Sequence, residues 1–138
     1  MVHFGEFIKT VMEDQGLEKT LEYARTQAMR REREKPESPL TPIQARDRLV
    51  RVNQMTGIDS NVELIGDEVI ATNGRCVFYD GWIASGLTPA EVEKLCRVRF
   101  NAFGESLWKT LNPNIMVELR KYKKSPEDTC LEVLKFKK

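Results

Sequence analysis

Hydrophobic residues in the first part of the chain recur at the spacing of a helix face. Over residues 4–34 they lie three and four positions apart, in two stripes separated by Gly16. This pattern predicts two N-terminal helices, or one helix kinked at Gly16. A further helix should begin at Thr41, because Thr is a good N-cap, Pro42 fits the first turn and Gln44 can close a capping box. It should end at Gly57 and bury one face, formed by Ile43, Ala45, Leu49, Val52 and Met55.

The pattern then changes to that of short strands. Residues 62–65 and 69–71 are short, mostly apolar runs on either side of a Gly66-Asp67 turn signal, and residues 76–79 follow Asn73-Gly74. Asn-Gly is the strongest short hairpin signal, because a type I′ turn needs positive φ at both positions. We therefore expect a turn at Asn73-Gly74 and a strand that begins at Cys76.

A second capping box, Thr88-Pro89-Ala90-Glu91, predicts the longest helix, which should extend to about Leu111 and stop at Asn112-Pro113. Its inner stripe contains Val92, Cys96, Phe100, Phe103, Leu107 and Leu111, with Leu95 and Trp108 beside it. Residues 115–120 and 129–136 then alternate like half-buried strands around a turn at 125–128. Cys130 begins the last of these strands.

This order of elements predicts an α+β fold in which the N-terminal helices and one long helix pack against an antiparallel sheet. A chain of 138 residues is expected to form a single domain, 1–138. Its helical part should cover about residues 1–57, and its α+β part about residues 58–138.

Composition narrows the classes of function. Lys and Arg number 22 and Asp and Glu 21, so no general positive field favours nucleic acid or an anionic membrane. The single histidine, His3, lies near the start of the chain, which argues against a catalytic site built on histidine. No apolar run approaches the ~18 residues of a membrane span. Three widely spaced cysteines form a poor disulfide framework, so we expect free thiols in a cytoplasmic protein.

Those cysteines are Cys76, Cys96 and Cys130, and they are the strongest candidates for chemistry. They form no CxxC pair, so a local zinc signal is missing, but they could converge in space. Glu93 precedes Cys96 by three residues on the same helix, and three thiolates with one carboxylate would form a tolerable tetrahedral zinc shell. The alternative is that each cysteine is a small buried hydrophobe, which is its commonest role.

Several residues of the C-terminal half together resemble the L-2-amino-thiazoline-4-carboxylic acid hydrolase-like family: Cys76, Trp82, Gly86, Cys96, Asn112-Pro113 and the run 127–130. Glu127 departs from the glycine that the family favours. The resemblance implies an α+β fold related to vinyl-reductase-type ligand-binding domains and to TRAPP tethering subunits. It also implies that Glu93 and Cys96 correspond to the Glu-x-x-Cys pair with which some sensor members of that group bind zinc.

Two functions follow as expectations. In the first, the protein binds a small molecule, and its cysteines hold zinc or line an apolar pocket closed by Phe78, Trp82, Phe100, Phe103 and Trp108. In the second, it is a hydrolase that opens a cyclic amidine-type C–N bond. The attack would come from Cys76 or Cys130, or from zinc-bound water, with Asp80 or Glu93 moving protons. The shortage of histidine favours binding over catalysis.

The expected partners are a small-molecule ligand and a second copy of the chain, with neither nucleic acid nor a membrane. The apolar face formed by Phe4, Phe7, Ile8 and Val11 suggests a homodimer through the N-terminal helices.

Overall fold

The computed structural model describes residues 36–137, apart from the side chains of residues 103 and 105. The fold is α+β, as the sequence predicts. The elements are α1 (Pro42–Thr56), β1 (Ile58–Ile65), β2 (Glu68–Cys76), α2 (Val77–Ala84), α3 (Pro89–Phe103), a π-helical segment (Gly104–Trp108), α4 (Lys109–Leu111), β3 (Ile115–Lys121) and β4 (Cys130–Phe136). The predicted helices of residues 4–34 and the dimer face on them lie outside the described residues.

Both predicted capping boxes are present. In α1 the Gln44 amide donates to the Thr41 hydroxyl at 3.2 Å, and the Thr41 amide donates to Gln44 Oε1 at 3.0 Å. Thr88 and Glu91 form the same pair of bonds at the start of α3. At the other end of α1, Gly57 has φ +76°, the left-handed conformation that ends a helix.

Two residues predicted for the buried face of α1, one near each end of the helix, are exposed instead. Ile43 and Met55 are 56% and 86% exposed, whereas Ala45, Leu49 and Asn53 are buried. The buried residues follow a strict spacing of four. Two further positions along a helix turn the side chain by about 200°, so residues two positions outside this stripe face solvent.

The sheet is antiparallel, with strand order β1-β2-β4-β3. Gly66, at φ +62°, lies in the turn between β1 and β2, and β3 and β4 pair as the predicted terminal hairpin. One face of the sheet carries Val69, Ala71 and Leu134, which pack with Leu49 of α1 and with Trp108. In the described part of the chain this face supports the main core.

The predicted hairpin turn at Asn73-Gly74 and the strand after it are both wrong. Asn73 and Gly74 continue β2, and neither has positive φ, so no type I′ turn forms there. Cys76 ends β2 instead of opening a strand. The apolar run that follows is helix α2, because a short apolar run fits either a buried strand or a buried helix, and here its aromatic side chains pack on α3.

The long helix extends over the predicted residues but is not uniform. The segment Gly104–Trp108 is π-helical, and regular helix resumes to Leu111. Gly104 is buried against β3, where an added Cβ would lie 2.8 Å from the Val117 side chain. Among residues 36–137, no helix has the length and apolar character that a membrane span requires.

Candidate functional site: a cavity lined by three cysteines

A cavity lies between the helical layer and the end of the sheet, and Cys76, Cys96 and Cys130 all line it. About 70 Å³ is open to the centres of water molecules, within about 580 Å³ of empty space that includes solvent at the mouth. The centre of one water molecule needs roughly 10–15 Å³ of such open space. The cavity can therefore hold a few waters or a small organic group. The three cysteines therefore share one site although 19 and 33 residues separate them in the chain.

Each cysteine reaches the cavity from a different element. Cys76 ends β2 and immediately precedes α2. Cys130 begins β4 directly opposite Asn73 of β2, so strand pairing brings the second thiol to the same end of the sheet. Cys96 lies one helical turn beyond the fully buried Val92, on the side of α3 that packs inward. Pairing and helix periodicity together explain the convergence.

The thiols are free and only partly exposed. Burial raises the pKa of Cys96 to about 12, and interactions with Tyr122 and Arg99 offset only part of the effect. Burial also raises the pKa of Cys130, although its sulfur accepts a hydrogen bond from the Lys123 amide at 3.4 Å. Cys96 and Cys130 are therefore neutral thiols near pH 7, and neutral thiols are poor nucleophiles.

Aromatic rings form much of the cavity wall. Phe78, Trp82 and Phe100 all line it, as expected for the pocket, and the rings of Phe78 and Trp82 lie 5.9 Å apart at 48°. The Phe103 side chain lies outside the described residues. Trp108 does not line this cavity, because it packs in the main core.

Two tyrosines that the sequence did not single out complete the wall. Burial is the largest cause of a raised pKa for both Tyr79 and Tyr122. The Tyr122 hydroxyl is buried beside the Cys96 thiol, without a hydrogen bond of normal geometry in the described part of the chain. A polar ligand group could satisfy that hydroxyl, since buried polar groups normally have partners.

An acidic residue also borders the cavity. Glu132 lies two residues after Cys130 on β4, between Ala71 of β2 and Leu119 of β3. The residue borders the cavity, but protein encloses its carboxyl, and burial raises the pKa to about 7 against the opposing influence of Arg99. Among residues 36–137 this carboxyl has no hydrogen bond or ion pair, and its pKa of about 7 places its change of charge near neutral pH.

Two cationic side chains line the cavity as well. The Arg99 guanidinium lies 3.8 Å from the centroid of the Phe78 ring. Lys123 is 2% exposed, donates from Nζ to the Gly74 carbonyl oxygen at 3.0 Å, and lies 4.6 Å from the Tyr79 ring centroid.

The tight turn after β3 positions Lys123 and Cys130. Asp128 accepts hydrogen bonds from the Lys124 amide at 3.1 Å and from the Lys121 side chain at 2.8 Å. These bonds hold the pKa of the Asp128 carboxyl well below its usual range, with the Lys121 contact as the largest cause. The carboxylate thus fixes the connection that brings Lys123 and Cys130 to the cavity.

The acids expected to move protons lie elsewhere. Glu93 accepts a 2.9 Å bond from Arg97 and is about half exposed, on a surface groove next to the cavity. Asp80 accepts a 3.1 Å bond from Arg75. Neither carboxylate lines the cavity.

The predicted zinc shell does not fit this arrangement. The described residues contain no group of three Cys, His, Asp or Glu side chains placed to hold a metal ion. Glu93, the expected fourth ligand, is held by Arg97. A metal would also have to deprotonate thiols whose pKa values burial has raised. Zinc stays a prediction that elemental analysis of the purified protein and of a Cys96→Ser variant can test.

Some of the missed residues carried a signal in the sequence. Glu132 lies two residues after Cys130 on one strand, and therefore on the same face of the sheet. Arg99 lies three residues after Cys96 on one helix, so each spacing places the residue beside a cysteine. Tyr122 and Lys123 lie in the run Lys121-Tyr122-Lys123-Lys124, which resembles a solvated surface segment.

Comparison with known proteins adds no assignment. No family model matches the chain, and no curated protein matches it.

Proposed function

We propose that this protein is a binding domain for a small, mainly apolar molecule, which occupies the cavity lined by three cysteines. The observation that carries the proposal is the convergence of Cys76, Cys96 and Cys130, from three separate elements, on one cavity with aromatic walls. Apolar pockets with a few polar groups are the usual form of small-molecule sites. The resemblance to the aminothiazoline-carboxylate hydrolase-like family agrees with this proposal and stays a prediction itself.

Binding is favoured over thiol catalysis by the state of the thiols. Cys96 and Cys130 are held in the neutral form by burial, and no histidine is among the described residues that line the cavity. Neutral thiols among aromatic rings instead provide a polarisable apolar surface, which suits a ligand with an unsaturated or sulfur-containing body.

Hydrolysis of a cyclic amidine-type C–N bond is the second candidate, and the position of Glu132 favours it. Its carboxyl has a pKa of about 7, and among the described residues no other acidic side chain lines the cavity. In this reaction the Cys76 sulfur would add to the C=N carbon, Glu132 would move the thiol proton to the departing nitrogen, and water would then cleave the carbon–sulfur bond. Ring opening of aminothiazoline carboxylate by the protein and by a Cys76→Ala variant tests this candidate.

Ligand-observed NMR with a set of small aromatic and sulfur-containing compounds tests the binding proposal. Two substitutions at one position give a matched pair, because Cys96→Met fills part of the cavity and Cys96→Ala enlarges it. We expect compounds that bind the natural protein to bind Cys96→Ala but to lose affinity for Cys96→Met, with both variants folded by circular dichroism. Binding that is unaffected by either substitution, or no binding by any compound, would overturn the proposal.

A further inference from the structure

Glu132 is a carboxylic acid on the core-facing side of a central strand. It pairs with Ala71 of β2 and with Leu119 of β3. The fully buried Leu134 lies two residues further along β4, and Cys130 two residues before, so both point to the same side of the sheet. The strands therefore surround this carboxyl with apolar side chains and one thiol, none of which balances a negative charge.

The protonated form of this carboxyl has an unused hydrogen-bond donor. Burial raises the pKa of Glu132 to about 7 against the opposing influence of Arg99, so the neutral acid predominates below pH 7. A neutral carboxyl has one O–H donor, and no acceptor among residues 36–137 bonds to it. Buried donors normally have a partner, so we expect one from a molecule in the adjoining space.

That space is the inner end of the cavity. Glu132 borders both the cavity lined by three cysteines and a smaller pocket further inside, and Ile58 and Phe100 border the same two spaces. The Asn53 amide, which lines the inner pocket, already donates to the Ser60 hydroxyl at 3.0 Å. A ligand that enters from the mouth therefore meets the Glu132 carboxyl with its leading group.

We infer that the ligand of the cavity is an uncharged molecule with a hydrogen-bond acceptor of the carbonyl class, which accepts a hydrogen bond from the protonated Glu132 while its apolar body lies among the aromatic rings. This inference rests on the proposed binding function and adds the chemical class of the ligand and the residue that selects it. A cation would instead need the ionised carboxylate, and Arg99 lies near enough to repel a second positive charge there.

Ionisation of Glu132 should weaken binding, because a carboxylate has no proton to donate and repels a carbonyl oxygen. The other ionisable side chains that line the cavity are Cys76, Tyr79, Cys96, Arg99, Tyr122, Lys123 and Cys130. Burial raises the pKa of both tyrosines, of Cys96 and of Cys130, so these four stay neutral up to about pH 8. The remaining three are unchanged in a variant of Glu132, which separates any effect of theirs from that of the carboxyl.

Acetophenone and ethylbenzene test the inference, because they have nearly the same shape and only acetophenone carries an acceptor. NMR titration of the full chain would measure the affinity of both compounds at pH 6 and at pH 8. At pH 6 we expect acetophenone to bind at least about fivefold more tightly than ethylbenzene. Its affinity should then fall at least about threefold between pH 6 and pH 8, as Glu132 loses its proton.

Two substitutions of Glu132 separate the hydrogen bond from the charge. Glu132→Gln keeps a donor at the same length but does not titrate, so it should prefer acetophenone equally at both pH values. Glu132→Met keeps the length without a donor, so it should bind both compounds alike. Glu127→Gln, at an exposed position that does not line the cavity, is the control and should behave like the natural protein.

The outcomes separate this inference from the binding proposal. Equal affinities of the two compounds at pH 6, or a preference that survives in Glu132→Met, would overturn the assignment and leave the cavity a ligand site. A pH dependence that persists in Glu132→Gln would also contradict it, and this variant decides the question if circular dichroism shows Glu132→Met unfolded. If neither compound binds at either pH, both proposals fail for ligands of this size.

Discussion

Lys123 Nζ donates a 3.0 Å hydrogen bond to the carbonyl oxygen of Gly74, and this bond joins the connection after β3 to the end of β2. The two residues are 49 positions apart in the chain. Both residues line the cavity, so the bond that joins these two segments also fixes part of the cavity wall. Lys123 thereby links the stability of the fold to the proposed ligand site.

The first prediction concerns this bond. Lys123→Met keeps the aliphatic stem but leaves the Gly74 carbonyl without its partner, so it should lower the free energy of unfolding by about 1–2 kcal/mol. Lys124→Met, at an exposed position, should change it by less than about 0.5 kcal/mol. Urea unfolding monitored by circular dichroism measures both, and equal stability of the two variants would contradict the structural role of Lys123.

Gly104 gives a second prediction, because there is no room for a side chain at this position. An added Cβ would lie 2.8 Å from Val117, in a buried position where the backbone itself is regular at φ −64°. Gly104→Ala should therefore lower stability by about 1–3 kcal/mol through overpacking. Because the clash is with Val117, the double variant Gly104→Ala, Val117→Ala should lose less than the sum of the two single variants.

Gly66→Ala is the matched control for Gly104→Ala. Gly66 has φ +62° but open space around the Cβ position, so its cost of about 1 kcal/mol arises from the backbone. That cost should add to the effect of Val117→Ala without coupling. Full additivity at Gly104 as well would show that Val117 is not the obstacle.

Glu132 gives a prediction for the dependence of stability on pH. Its pKa is about 7 in the folded protein and about 4.3 in an unfolded chain, so between these values the folded state binds more protons. This residue's contribution to the free energy of unfolding should fall as pH rises from about 4.3 to about 7, by on the order of 3–4 kcal/mol. Below that window it should be constant.

Glu132→Gln isolates this contribution. The variant should exceed the natural protein in stability increasingly as pH rises from 4.5 to 7.5, whereas Glu127→Gln, at an exposed position, should not. Urea unfolding across this range is the measurement. A constant difference between Glu132→Gln and the natural protein would show that the carboxyl is not protonated in the fold.

Thiol reactivity gives the fourth prediction. Because burial raises the pKa of Cys96 to about 12, its thiolate is scarce at pH 8. Iodoacetamide should alkylate Cys96 at least about tenfold more slowly in the folded protein than in urea. Peptide mass spectrometry measures the alkylation of each cysteine separately. Similar alkylation rates of Cys96 in the folded protein and in urea would mean that its thiol is not shielded.

The sequence predicts most of the described fold because its local signals agree with the packing. Thr41 and Thr88 start helices through capping boxes that need only neighbouring residues. The alternation after Pro113 likewise predicts the terminal hairpin. The two wrong predictions fail because tertiary contacts outweigh the local signal. Asn73-Gly74 continues β2, which pairs with a strand on each side, and the segment with Phe78 and Trp82 is helical because these rings pack on the apolar surface of α3.

The site is harder to predict because its residues meet through tertiary structure. The three cysteines were identified by type, but their shared cavity depends on the pairing of Asn73 with Cys130 and on the inward side of α3. Glu93 was chosen for its helical spacing to Cys96, yet Arg97, four residues further on, offers it an ion pair in solvent. Lys123 gave no signal, since burial of a lysine in a charged run depends on the turn that Asp128 holds.

The most direct test of the account uses the two tryptophans as internal probe and control. Trp82 lines the cavity, whereas Trp108 packs in the main core and does not. In a protein with isotope-labelled indole nitrogens, titration with acetophenone should shift the Trp82 signal to saturation and leave the Trp108 signal in place. Two unmoved signals, or a shift confined to Trp108, would contradict the claim that the cavity lined by three cysteines is a ligand site.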